Sequence, residues 1–115
     1  MPTIWTLGSS AVRTQFSYDG NIEEGVMIHF SGNPRVSADF FKAIIHEFQG
    51  MKIPGGFSMT DPTRGGLGIW ILENSAKLNG TKLSPRHASF IAAILEHEGK
   101  IRSSLEGGKA VILHF

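Results

Sequence analysis

Cysteine is absent from this chain, which excludes disulfides and thiolate metal sites. Long apolar runs are absent too. The longest, FIAAIL at 90–95 and IWIL at 69–72, fall far short of the ~20 residues needed to cross a bilayer. Charge of one sign is not in excess: the net charge of +1 supplies no global field to draw the protein to nucleic acid or membrane. The opening MPTIWTLGSSAVR lacks a basic start followed by an apolar stretch, so no signal peptide is expected and a cytoplasmic location is the simplest reading.

What is present suits a folded domain. The apolar fraction of 41% against 18% charged residues is that of a globular chain, and eight Phe residues give a core bulk. Alternation in VRTQFSY at 12–18 reads as a strand with Val12, Thr14, Phe16 and Tyr18 on one side. Asp19-Gly20 then predicts a tight hairpin turn, and VMIHF at 26–30 the return strand. Asn33-Pro34 opens a first helix by cap-then-proline logic, with Val36, Phe40, Phe41, Ile44, Ile45 and Phe48 on its apolar stripe and Gly50 at its end.

Residues 67–73 read as a strand. Asn79-Gly80 reads as a turn, and Ser84-Pro85 as the start of a second helix that runs to Glu98 and stops at Gly99. Residues 101–105 and 110–115, joined by EGGK, predict a closing hairpin. The expected order is β-β-β-α-β-α-β-β across one domain of residues 1–115. The fold class is α+β: a two-layer sandwich with two helices on one face of a mainly antiparallel sheet. A further strand at 77–83 would convert the middle into ferredoxin-like connectivity.

GGFSMTDPTRGGLG at 55–68 invites comparison with phosphate-cradling loops. No Lys follows its glycines, and it is preceded by a helix and followed by a predicted strand, the reverse of a dinucleotide-binding loop. The nucleophile elbow is missing as well. Long connections of this kind are often functional. Gly55, Gly56, Gly65 and Gly66 are candidate hinges, with Asp61 and Arg64 between them, in a mobile lid or contact loop.

The stretch KLNGTKLSPRH at 77–87 carries four basic residues and no acid. Lys82, Ser84, Arg86 and His87, at the start of a helix with free N–H groups, form a candidate anion site. The helix dipole is expected to lower the pKa of His87 and fit it as a catalytic base. No HExxH spacing exists, and His29 and His114 meet only if their strands are neighbours, so no metal and no cofactor is assigned. Trp70 and Leu72, on a predicted second apolar sheet face, are candidate interface residues for self-association.

Three functions follow. The first is a small binding or interaction module, homo-oligomeric, with a small anionic ligand as a further partner. The second is a small enzyme acting on a phosphate or other anionic ester. The third is a weak nucleic-acid binder, disfavoured by the near-neutral charge; no membrane partner is expected.

Overall fold

The computed structural model describes residues 3–7, 13–107 and 110–115. Its elements are β1 (Thr3–Trp5), β2 (Gln15–Asn21), β3 (Gly25–His29), β4 (Arg35–Val36), α1 (Ala38–Phe48), β5 (Lys52–Pro54), α2 (Leu67–Leu78), α3 (His87–His97), β6 (Arg102–Glu106) and β7 (Ala110–His114). The class is α+β, with all strand pairing antiparallel. Where one sheet was expected there are two, ordered β1-β2-β3-β4 and β5-β7-β6. A single buried cluster draws from both sheets and from all three helices.

The β2–β3 hairpin is set by alternation: Phe16, Tyr18, Val26 and Ile28 are buried, and Tyr18 lies opposite Ile28. Its turn falls at residues 22–24, beyond the expected Asp19-Gly20. Asn21 Oδ1 accepts the Glu24 N–H at 2.9 Å and closes the turn there, so the strands run further than the Asp-Gly pair implied. Ile22 at the tip is buried because Glu98, at the far end of α3, accepts its N–H at 3.0 Å and the Tyr18 O–H at 2.8 Å.

Helix α1 begins after Ser37, whose Oγ accepts the Phe40 N–H at 3.0 Å. Asn33-Pro34 is not its start. Asn33 sits in a turn with φ 44, and Arg35–Val36 pairs with β3 before the helix can begin. Phe40, Phe41 and Ile44 are fully buried, each stabilising the fold by roughly 2 kcal/mol. Gly50 ends the helix with φ 74, as the sequence predicts.

Residues 67–73 are helix, not strand. The apolar run LGIWIL fits either period over so few residues, and only the longer spacing of Leu67, Ile71 and Ser75, all buried, settles it as helical. Residues 77–83 complete that helix and a turn, so ferredoxin-like connectivity does not form. Asn79 caps α2 and fastens it to the start of α1: its Oδ1 accepts the Ser37 N–H at 2.7 Å, and its Nδ2 donates to the Arg35 carbonyl at 2.9 Å.

Helix α2 packs on α1 and α3; α1 covers β3 and α3 covers β1. Helix α3 closes in a Schellman arrangement, with Gly99 at φ 78 and the Lys100 N–H bonded to the Leu95 carbonyl at 2.8 Å. Strands β6 and β7 pair as the closing hairpin, Glu106 opposite Ala110, while Gly108 and Lys109 of the expected EGGK turn lie outside the described residues. Among the described residues, no helix is long and apolar enough to cross a membrane.

Candidate functional site

The site is assembled where β1, β7, the loop after β5 and the start of α3 meet. The loop of residues 55–66 is closed at its base. The Gly55 N–H donates to the Val111 carbonyl of β7, and the Gly68 N–H donates to the Gly55 carbonyl, both at 2.9 Å. Glycine makes that closure possible: a Cβ on Gly68 would lie 1.9 Å from the Gly56 carbonyl oxygen. Gly66 meets the Pro54 carbonyl in the same way, at 2.9 Å. Gly55, Gly56 and Gly66 therefore work as close-packing positions at the loop base, while Gly65, at φ 80, has open space around it. Asp61 and Arg64 are both exposed, and Asp61 is tied to Ser58 through its N–H at 3.1 Å. Phe57 packs inward against the core; Met59 is exposed.

Helix α3 contributes its first turn. Arg86 is the N-cap residue and His87 the first helical one. Three main-chain N–H groups that an anion would need are already bonded. Those of His87, Ala88 and Ser89 donate to the carbonyls of Ser84, Pro85 and Arg86 at 3.0, 3.1 and 3.2 Å. The expected array of free N–H donors is thus consumed by the turn itself.

His87 is half-buried, and its pKa is lowered from the ordinary 6.5, first by burial and then by the Arg86 charge. The Ser84 N–H points at its Nδ1 from 3.1 Å, with Ser84 Oγ at the same distance. A main-chain N–H can only donate, so Nδ1 is the acceptor and the neutral ring carries its proton on Nε2.

A cleft of 420 Å³ lies between these elements. Hydroxyls from Thr6, Thr14, Ser58, Thr63 and Ser89 line it, together with the rings of Phe57 and Phe90. Among the described residues, Arg86 is its only charged lining residue. Beyond Arg86, a second hollow of 240 Å³ is lined by Phe30, Met59, Ser84 and His87. The guanidinium stands 5.7 Å from the centre of the Phe30 ring. Among the described residues the one ion pair is His29–Asp19, so Arg86 faces both hollows without a carboxylate partner.

Ser84, Arg86 and His87 stand together around the smaller hollow with Met59 of the loop, and of the three only Arg86 also lines the larger cleft. Lys82 is exposed and lines neither hollow. Trp70 is on a helix and not on a sheet face. It stacks on Phe40 at 5.7 Å and meets Phe48 edge-on at the same distance, while Leu72, on the same helix, is half-buried. The apolar sheet face that motivated self-association is replaced by this helix contact. His29 and His114 lie in different sheets, bonded to Asp19 at 2.7 Å and Ser104 at 2.9 Å. No group of three metal-ligating side chains occurs among the described residues.

The hydroxyls of Thr6, Thr14 and Ser89 had no sequence signal, since isolated Ser and Thr are common on strand edges and helix starts. Only Ser58 and Thr63 stood in a stretch conspicuous enough to suggest a site. Comparison with protein-family profiles, with curated proteins and with solved structures finds no match.

Proposed function

We propose that the protein is a small ligand-binding module whose 420 Å³ cleft holds a small anionic molecule with an apolar part. The observation that carries this reading is the lining among the described residues: one unopposed guanidinium, a set of hydroxyls, and aromatic walls, with no acidic side chain. Sites for small ligands share that make-up, mostly apolar with a few polar groups that fix orientation, and this volume falls within their usual range. Binding is favoured over turnover because the lining holds no acid–base pair. The basic nitrogen of His87, Nδ1, is already taken up by the Ser84 N–H, and its protonated Nε2 can only donate.

The test is backbone amide NMR of the full chain during titration with small aromatic anions. Shifts clustered at Thr6, Phe57, Thr63, Ser89 and Val111, and lost in Arg86→Gln, are expected. Shifts scattered over other surfaces, or identical in Arg86→Gln, would contradict the reading.

A further inference from the structure

Resting on that reading, we infer that the ligand is an apolar monocarboxylate, held by Arg86 and hydroxyl donors, and that phosphate esters are discriminated against. The positive charge and the free donors at the cleft decide between the two kinds of anion.

Phosphate sites in proteins draw on several donors at once: free main-chain N–H groups at a helix start, and more than one cation. Here the first-turn N–H groups of α3 are spent on Ser84, Pro85 and Arg86 carbonyls. Lys82, the nearest other cation in sequence, lines neither hollow. His87 is kept neutral by its burial and by Arg86 itself. Arg13, close by, is bonded through its Nε to the Thr6 carbonyl at 2.9 Å and does not line the cleft. Among the described residues that line it, one full positive charge therefore remains. A phosphate monoester carries about −1.5 to −2 near neutral pH, so about a third to a half of its charge would go uncompensated against the rings of Phe57 and Phe90. A carboxylate carries one charge, and its planar pair of oxygens fits the guanidinium fork.

The hydroxyls complete the match. Thr6 is buried, lines the cleft, and its Oγ1 accepts the Thr14 N–H at 2.8 Å, which commits the oxygen as an acceptor and leaves its proton to donate. A carboxylate oxygen accepts a hydrogen bond from such a hydroxyl. Ser89 Oγ instead donates to the Arg86 carbonyl at 2.8 Å, and so helps hold the backbone that presents the guanidinium. The apolar part of the acid then lies along Phe57, Phe90 and Val111.

The experiment compares phenylacetate, phenylacetamide and phenyl phosphate for binding to the full chain at fixed ionic strength, by amide NMR titration. Phenylacetate is expected to bind about tenfold tighter than its neutral amide, as a charge-assisted pair should, and tighter than phenyl phosphate. Arg86→Gln should remove the advantage over the amide, and Thr6→Val should weaken the acid more than the amide. Acetyl-Ala-Ala-Phe, carrying the same acid at a chain end, is run beside phenylacetate to distinguish a free acid from a peptide terminus. Tighter binding of phenyl phosphate at the same residues would overturn the carboxylate assignment and leave the cleft reading standing. Equal binding of acid and amide would also overturn it. No cleft shifts with any of the compounds would sink both.

Discussion

Gly68, at the start of α2, lies so close to Gly56 that any side chain there would meet the Gly56 carbonyl oxygen at 1.9 Å. The contact joins the two ends of the 55–66 loop and fixes one wall of the cleft. Gly68→Ala must push the two backbones apart, a form of overpacking that costs about 2 kcal/mol. The melting temperature should fall by roughly 8 °C, with amide shifts concentrated at Gly55, Gly56 and Thr63. A variant as stable as the parent would show that the loop base gives way freely.

Trp70 bridges α1 and α2 through Phe40 and Phe48. Trp70→Ala is expected to destabilise the protein by about 2 kcal/mol in denaturant unfolding, by the same amount in dilute and concentrated samples. A loss that grows with protein concentration would identify Trp70 as an intersubunit contact instead.

His87 gives the protein a pH dependence of known sign. Its folded pKa lies below the ordinary 6.5, so the unfolded chain takes up this proton first as pH falls. The contribution to stability is full above pH 6.5 and declines as pH drops below that value towards the lowered folded pKa. His87→Gln should flatten that part of the stability profile relative to the parent. Ring-nitrogen NMR at neutral pH should show the proton on Nε2; a proton on Nδ1 would contradict the Ser84 contact.

The only tyrosine, Tyr18, is buried and donates to Glu98. Burial is the main cause of its raised pKa, followed by the hydrogen bond to Glu98 and that carboxylate's charge. A raised phenol contributes fully below its ordinary 10.0, and the contribution is lost as pH climbs above it. Tyrosinate absorbance should therefore rise together with the loss of far-ultraviolet circular dichroism. Ionisation near pH 10.0 in a chain that keeps its secondary structure would contradict the packing described.

Much of the fold was legible where local chemistry and period agreed: the Phe16/Tyr18 alternation, the α1 stripe, the Gly50 and Gly99 stops and the closing hairpin. It was misread where a short segment fits two periods, as LGIWIL does, or where a nearby residue made the better cap, as Ser37 does over Asn33. Of the site, Arg86 and the loop were legible because basic residues without acids and dense glycine stand out. Their convergence was not, because it depends on β7 pairing with β5 and bringing Val111 to Gly55. Nor was the loss of free N–H groups, since a helix start and a tight turn can share one cap-and-proline sequence.

The most direct test of the binding cleft is the side-chain Nε–H resonance of Arg86, followed by NMR while phenylacetate is added to the full chain. The expected result is a progressive, saturable downfield shift, absent with phenylacetamide, in step with the amides of Thr63 and Ser89. An Arg86 resonance that stays in place while the acid binds elsewhere, or is not bound at all, would contradict it.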